Sequence, residues 1–149
     1  MVVAAAVGSG LAGGVFFAFS TFVMSGIRRL PASQGVTTMQ AINERATTPA
    51  FMTLLFGTAA LALGLGVDAV FHRDEDSWGW VVAGSVSYLA AIILTAAFHV
   101  PRNDALAALD PASAETVARW ADYLREWVAG NHLRTAACTI AAVAFTLAT

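Results

Sequence analysis

The sequence predicts an all-α integral membrane protein: a bundle of four transmembrane helices with a polar cytoplasmic cap and a further helix before the last span. Of its 149 residues, 58% are hydrophobic and only 12% are charged, whereas a soluble domain has about 25% charged residues. Long uncharged segments alternate with short polar ones, as bilayer-crossing helices require. The length suits one domain, residues 1–149. The predicted spans are residues 2–27, 49–71, 77–99 and 128–149, and the predicted cap helix is 111–128.

The first span, residues 2–27, contains no charged residue. Arg28 and Arg29 mark its end, and Pro31 stops the helix because proline lacks the backbone N–H. Gly10 and Gly14 lie on one helix face, where small residues allow close approach of a second helix. That helix belongs either to the same chain or to a second copy, so a homo-oligomer through the Gly10/Gly14 face is one predicted association.

A polar connection, residues 31–48, follows the first span. Within it, residues 38–45 are predicted to form about two turns of amphipathic helix at the membrane interface. Thr47 or Thr48 then caps the second span, because threonine is a preferred N-cap residue and Pro49 suits the first helical position.

The third span begins beside Trp78 and Trp80, which suit the aromatic belt at a membrane surface. It is predicted to end at His99, just before the Val100–Pro101 pair, because proline disfavours continuation of a helix. Asp110–Pro111 then starts the cap helix by the same cap-and-proline pattern as the second span.

The last span must include polar residues that precede the C-terminal apolar segment. Only fifteen residues follow Arg134, and as a helix they reach roughly 22 Å, less than the about 30 Å of a bilayer core. The span therefore begins near Val128, and the cap helix can continue into it through Gly130. Asn131, His132 and Arg134 come to membrane depth or to its edge, where polar groups are costly unless they face a cavity, the bundle interior or the interface.

The arginines predict the orientation. By the positive-inside rule, the first and third connections are cytoplasmic and both termini lie outside. The eight basic residues are all arginine, which indicates a GC-rich genome, and we expect the inner membrane of a bacterium. A net charge of −2 argues against a nucleic-acid partner. The first connection holds Arg28, Arg29 and Arg45, the second only Arg73, and the third Arg102, Arg119 and Arg125, with Arg134 at its edge.

The polar residues that are hardest to explain as surface fall on the predicted cytoplasmic side. Trp120, Trp127, Asn131 and Arg134 recur at steps of seven, four and three residues and so share one helix face. In a four-helix bundle, three such segments can converge on a half-buried cavity that holds a small planar ligand. The alternative is a solvated cap with structural hydrogen bonds. The candidates are Gln40 and Asn43; His99, Arg102 and Asn103; and Trp120, Tyr123, Trp127, Asn131, His132 and Arg134.

His99 and His132 are the histidines on this side, and a neutral histidine can accept a proton from an acidic carbon or hydroxyl. No metal site is predicted, because the sequence has neither HxxxH spacing nor a second cysteine to pair with Cys138. A b-type haem held by His99 and His132 stays an alternative.

At these residues the chain resembles the anthrone oxygenase-like membrane family. The matching segments are GLAGGVFFAFSTFVMSGIRRLP, GVTTMQAIN with TPAF, FHVPRNDALA and WADYLREWVAGNHLRTAAC. Met39, Gln40, Ile42 and Asn43 match the family pattern MQxIN, and Trp127, Asn131, Arg134 and Thr135 match WxxxNxxRT. Where the family typically has Asn-Val-Pro-Leu-Asn, this chain has histidine at the first position and arginine at the fourth, His99-Val100-Pro101-Arg102-Asn103.

The resemblance implies an enzyme that oxidises anthrones to anthraquinones with O2 and needs no metal or flavin, so no cofactor is expected. If this activity holds here, His99 is the candidate base, and Asn103, Asn131 and Arg134 are the candidate donors to an oxyanion. The partner would be a hydrophobic aromatic molecule stacked on Trp120 and Trp127. The alternatives are a non-catalytic quinone- or lipid-binding module, a subunit of a membrane assembly and, last, a small transporter. The other predicted contacts to the ligand are Gln40, Asn43, Arg102, Tyr123 and His132.

Overall fold

The computed structural model describes residues 1–73 and 76–149, and these residues form helices and turns without a β-strand. The all-α class is therefore confirmed. The predicted second loop includes residues 74 and 75, which lie outside the described residues. The helices are α1 (Val2–Ile27), α2 (Ala32–Arg45), α3 (Pro49–Phe71), α4 (Trp78–Ala107) and α5 (Ala114–Leu147).

Three of the described helices, α1, α3 and α4, are long and apolar enough to cross a membrane, which is the mark of an integral membrane protein. The predicted fourth span, residues 128–149, does not stand out in the same way. It is the C-terminal part of α5, a 34-residue helix whose first half is polar.

The helix bundle is held together by small and aromatic side chains. α5 packs against α1 and α4, and α3 completes the bundle by contacting the same two helices. Close approach depends on glycines: a Cβ at Gly84 in α4 would lie 2.8 Å from Cδ1 of Phe145, a fully buried ring in α5. In α1 the close contacts are made by Gly8, against Thr58, and by Gly13, against Cys138.

Gly10 and Gly14 lie on the exposed side of α1. A Cβ at Gly14 would have no neighbour within 4 Å, and one at Gly10 would only touch Ala142. The association of two chains through this face stays a prediction.

The predicted helix break at Val100–Pro101 is wrong, because α4 continues to Ala107; the end of the third membrane span at His99 stays a prediction. The α4 backbone widens into one π-helical turn at Thr95–His99, where the N–H of Val100 bonds the carbonyl of Thr95. A proline inside an α-helix clashes with the carbonyl four residues earlier. We attribute the continuation past Pro101 to this wider turn directly before it, which gives the proline ring room.

The start of the cap helix at residue 111 is also wrong. Asp110 accepts a hydrogen bond from the N–H of Ala112 at 2.9 Å and forms a turn, and Ser113 is the true N-cap, because its Oγ accepts the N–H of Thr116 at 3.1 Å. Residues 111–128 and 128–149 are not two helices but parts of α5, which runs through Gly130 as expected.

The short interfacial helix is longer than predicted, because α2 starts at Ala32 rather than at residue 38. Pro31, with ψ of 142°, is extended and stands directly before the first turn. Thr48 stands directly before Pro49, the first residue of α3, so this boundary is confirmed, but the Thr48 side chain makes no capping hydrogen bond.

The contact between Gly84 and Phe145 gives a test of how α5 packs on α4. Gly84→Ala is expected to destabilise the protein by about 1–3 kcal/mol, because overpacking against a buried ring displaces it. Gly64→Ala in α3, where the added methyl meets nothing within 4 Å, is expected to be neutral or to stabilise by up to about 1 kcal/mol through helix propensity. Thermal unfolding in one detergent compares the two; a Gly84→Ala protein as stable as Gly64→Ala would contradict the packing.

Candidate functional site

Helix α2 covers one end of the bundle. Its apolar face, with Val36 and Met39 fully buried, packs on the aromatic residues of α5. Gly35 makes this contact possible, since a Cβ there would lie 2.8 Å from the ring of Trp120. Gln40 fixes the other side of α2: its Nε2 donates to the carbonyls of Leu106 (2.9 Å) and Leu109 (3.0 Å) at the end of α4.

Beneath α2 lies a cavity of about 260 Å³, which we call the inner cavity. All five helices contribute to its wall, and the wall is mainly apolar and aromatic. Its polar members come from α2, α4 and α5 and from the turn between α2 and α3. The lining residues are Val15, Phe16 and Phe19 of α1; Met39, Ile42 and Asn43 of α2; Ala46 and Thr47 of the α2–α3 turn; Phe51, Met52, Leu55 and Phe56 of α3; Thr95, His99, Val100 and Asn103 of α4; and Trp127 and Arg134 of α5.

His99 lies on the π turn of α4 and is only 1% exposed. Its two ring nitrogens face main-chain carbonyls: Nδ1 lies 3.4 Å from the oxygen of Leu94, and Nε2 lies 3.3 Å from the oxygen of Trp127. A neutral imidazole has one N–H, so it can donate to only one of them. Gly130 lets the ring come this close to α5, because a Cβ there would lie 2.9 Å from its Cε1.

Asn103, one turn further along α4, is oriented by α5. Its Oδ1 accepts two hydrogen bonds, from the phenol of Tyr123 (3.0 Å) and from the indole Nε1 of Trp127 (2.9 Å). Because an indole N–H can only donate, the amide oxygen must be the atom on this side. Burial raises the pKa of Tyr123, so its phenol keeps its proton and remains a donor. The Nδ2 of Asn103 has no acceptor among the described residues.

Arg134 is a buried arginine, 5% exposed. One terminal nitrogen, NH2, donates to Oδ1 of Asn131 at 2.7 Å, and NH1 lies 3.4 Å from the hydroxyl of Thr95. The guanidinium carbon lies 4.3 Å from the ring centre of Phe16 and 5.2 Å from that of Trp127. Within the described chain, no carboxylate pairs with it, and its Nε has no acceptor.

Asn131 holds Arg134 in place and ties α5 to α1. Its Nδ2 donates to the carbonyl of Phe16 (2.7 Å) and to the hydroxyl of Ser20 (2.8 Å). The hydroxyl of Thr135 donates to the carbonyl of Asn131, so in the 3.1 Å contact between Ser20 and Thr135 it is Ser20 that donates. Every polar atom of the Asn131 side chain is therefore engaged within the bundle, and Asn131 does not itself line the inner cavity.

A second, more open space of about 620 Å³, the outer groove, lies between α2 and α4. It shares Asn43, Thr47, Val100 and Asn103 with the inner cavity, so these residues form a common wall. The groove also carries Glu44 and Asp104, whereas the inner cavity has no acidic residue in its wall. The inner cavity therefore borders a polar space on one side.

On another side the inner cavity reaches the apolar surface of the bundle. Phe56 of α3 is 61% exposed and Val100 of α4 is 45% exposed, yet both also line the cavity. Part of the cavity wall is therefore exposed on the apolar surface of the bundle.

The predicted site residues fall into three groups. Five line the inner cavity: Asn43, His99, Asn103, Trp127 and Arg134. Four lie behind the wall and hold its residues in place. Asn131 accepts a hydrogen bond from Arg134, Tyr123 donates one to Asn103, and Gln40 donates one to the end of α4. Trp120 stacks on Tyr123, with 5.5 Å between the ring centres.

Arg102 and His132 lie elsewhere. Arg102 pairs with Glu126 at 2.9 Å and stacks over the ring of Phe98, outside the inner cavity. His132 is exposed, on a different side of α5 from Asn131 and Arg134. The rings of His99 and His132 therefore do not face a common space, as a shared haem would require. Elsewhere in the described chain, no three His, Cys, Asp or Glu side chains come together as metal ligands do.

Sequence reasoning missed the residues of α1 and α3 in the wall. Phe16 and Phe19 belong to a phenylalanine-rich segment that reads equally well as lipid-facing, and Phe51, Met52 and Leu55 are indistinguishable from ordinary apolar residues of a span. Ser20 and Thr95 are polar residues within apolar helices, and this placement is the sequence signal that could have indicated their part in the site.

The sequence was also compared with known proteins and families. Residues 39–144 match the family model described as Anthrone oxygenase, and this stretch covers well over half of the 149 residues. It includes all five predicted residues that line the inner cavity, while α1 lies before it. No curated protein and no solved structure matches the chain. By the extent of the family match, the chain belongs to the anthrone oxygenase family.

Proposed function

We propose that this protein is a membrane-embedded, cofactor-independent oxygenase that acts on a hydrophobic polycyclic phenolic or quinone-like compound with O2. The observation that carries the proposal is the inner cavity: an apolar, aromatic space that brings together His99, Asn103 and Arg134. Its volume of about 260 Å³ is slightly below the roughly 300–1,000 Å³ of drug-sized ligand sites and suits a compact ring system.

The reaction converts one CH2 group into a ketone and releases water. A base removes one proton from the CH2, and the resulting enolate gives one electron to O2. The carbon radical and superoxide combine, which forms a carbon–oxygen bond, and the peroxide takes up a proton. The second C–H proton and hydroxide then leave as water while the O–O bond breaks. Atoms and electrons balance with O2 as the only oxidant.

His99 is the proposed base. One of its ring nitrogens carries a lone pair that faces a carbonyl oxygen, with no proton between them. Such a contact is unfavourable, and both distances are long for a hydrogen bond. If the imidazole rotates away from this carbonyl, the unfavourable contact is relieved. The lone pair can then face an acidic C–H of the substrate and accept its proton.

Asn103 and Arg134 are the proposed donors to the developing oxyanion. Both lie against Trp127, Asn103 at its indole nitrogen and Arg134 near its ring. Trp127 supports the flat substrate between them. Water formed in the reaction can leave through the common wall into the outer groove, where Glu44 and Asp104 lie.

The proposed topology has four spans, with the C-terminal part of α5 as the fourth. Its exposed side chains include Leu133, Ile140, Val143 and Leu147, each more than half exposed, and such a surface is costly in water. We propose that this part of α5 lies in the bilayer, with α2 and the start of α5 on the cytoplasmic side and both termini outside.

A second candidate is a non-catalytic binding module for a quinone or lipid. The observation that favours it is the placement of both His99 nitrogens against carbonyls, which leaves neither turned toward the cavity. The assay that separates the two is oxygen uptake by chelator-treated protein supplied with an anthrone. Uptake supports the oxygenase; a ligand that co-purifies without uptake supports the binding module.

The role of His99 can be tested with a conservative change. His99→Gln removes the ring nitrogen that serves as the base and keeps a polar side chain at this position. We expect kcat for oxygen uptake to fall about 100-fold or more. The matched control is His132→Gln, which should retain nearly full turnover because His132 is exposed and outside the cavity. Equal turnover in the two variants would show that His99 is not the base.

The donor role of Asn103 can be tested with an isosteric change. In Asn103→Asp a carboxylate still accepts from Tyr123 and Trp127, so the unfolding temperature should change little. The Nδ2 donor is lost and a negative charge enters the cavity, so kcat should fall about 100-fold.

The control for this variant is Asp104→Asn, a change at the neighbouring, exposed residue of the outer groove. Steady-state oxygen uptake and thermal unfolding should be measured for both. If Asn103→Asp keeps the turnover of Asp104→Asn, Asn103 donates no hydrogen bond to the reacting molecule.

A further inference from the structure

We propose that the inner cavity binds its ligand as an anion, with Arg134 as the counter-charge, so that it selects weakly acidic phenols and enolisable ketones over neutral aromatic compounds. The inference rests on the proposed function for the aromatic nature of the ligand. It adds the charge state in which that ligand is bound. It is carried by the placement of Arg134 and by the donors around it.

Arg134 is a charge without a partner. An arginine stays protonated in proteins, and a buried charge is normally paired with an opposite one. Here the guanidinium is 5% exposed, its Nε has no acceptor, and among the described residues no acidic side chain lies within pairing distance. Asn131, its one close hydrogen-bond partner, is neutral. The site therefore has a positive charge that nothing in the described chain neutralises.

Two other polar side chains of the cavity wall also favour a ligand that accepts hydrogen bonds. The Nδ2 atoms of Asn43 and Asn103 make no hydrogen bond within the described chain, although the phenol of Tyr123 lies near Asn43, and both residues line the inner cavity. Together with Nε of Arg134 they are three donors without acceptors. Oxygen atoms that carry no proton, as in a ketone or an oxyanion, can accept from such donors, and the uncompensated charge of Arg134 favours the oxyanion.

The titratable groups around Arg134 do not compensate its charge. Those that interact with it are His99 on α4, and Tyr123 and Cys138 on its own helix. From α1 it meets the ring of Phe16, and α2 and α3 contribute no acidic residue to the cavity wall. The carboxylates of Glu44 and Asp104 lie in the outer groove, beyond the common wall.

The apolar wall of the inner cavity favours aromatic anions over small inorganic ones. Small inorganic anions gain little from an aromatic cavity, while an aromatic anion stacks on Trp127 and Phe16 and places its oxygen near Arg134. A site that binds the conjugate base also shifts the acid–base equilibrium of its ligand toward that base. For an enolisable substrate, the ionised form is the one that reacts with O2, so the same charge favours the first chemical step.

The test uses a probe that the reaction cannot consume. 2-Hydroxyanthraquinone already has both ketones, and its visible absorption moves to longer wavelength when the phenol ionises. The purified full-length protein in detergent is titrated with pH in the presence of the probe. We expect the bound phenol to ionise about one to three pH units below its value in protein-free micelles. 2-Methoxyanthraquinone, which cannot ionise, should bind about ten-fold or more weakly at neutral pH.

Variants assign the effect to Arg134. Arg134→Gln should abolish the lowered ionisation, and Arg134→Lys, which keeps the charge, should retain part of it. Arg125→Gln is the matched control: Arg125 is exposed on the same helix and paired with Asp122, and its loss should leave the probe spectrum unchanged. If Arg134→Gln does not fold, the hydroxy and methoxy probes on the unaltered protein, with Arg134→Lys, decide the question.

Two results would overturn the proposal: a bound phenol that ionises at the same or higher pH than in micelles, or a lowered ionisation that persists in Arg134→Gln. The outcome is independent of turnover. If the bound phenol ionises at a lower pH but anthrone causes no oxygen uptake, the anion site is supported and the oxygenase is contradicted. If anthrone causes oxygen uptake but the phenol ionises at its usual pH, the oxygenase is supported and the anion site is contradicted.

Discussion

Arg134 carries a full positive charge inside a bundle whose other interior groups are mostly apolar. Moving such a charge out of water costs several kcal/mol when no opposite charge accompanies it. The surrounding structure offsets part of this cost through Asn131, which accepts from the guanidinium and is itself bonded to Phe16 and Ser20 of α1. The rings of Phe16 and Trp127 add cation–π contacts. The remaining cost is the observation on which the proposed anion site rests.

Two irregular turns surround this charge. α1 contains a π-helical turn at Phe19–Val23 and α4 contains one at Thr95–His99, so the two helices that face Arg134 across the cavity both depart from α-helical geometry beside it. Such turns occur often at functional sites, because they change the direction in which side chains leave a helix. In α4 the turn carries both His99 and Thr95. Pro101 then follows within the same helix, and Gly130 of α5 leaves room for the histidine ring.

The sequence predicted the fold class and much of the site, for reasons that can be traced to particular residues. Helical spacing puts Asn131 and Arg134 on the same face as Trp127, and the buried residues of α5 confirm that face. His99 and His132 looked equivalent in sequence, but only the structure gives the rotation of each helix, and it separates the buried ring from the exposed one.

What sequence reasoning could not give depended on contacts between distant segments. The π turn that carries α4 past Pro101 has no local signature as clear as the proline itself, so the helix was predicted to end too early. Ser113 displaced Asp110 as the cap of α5 because two good capping residues lie within one turn. The place of Asn43 in the cavity wall depends on the packing of α2 over the cavity, since Asn43 comes from a segment that in sequence reads as a polar connection.

The most direct test is a structure of the protein with a hydroxyanthraquinone bound. The account predicts that the rings occupy the inner cavity against Trp127 and Phe16, with one oxygen within hydrogen-bond distance of the Arg134 guanidinium and α2 closed above. A ligand found in the outer groove or on the lipid-facing surface, with Arg134 still lacking an oxygen partner, would contradict it.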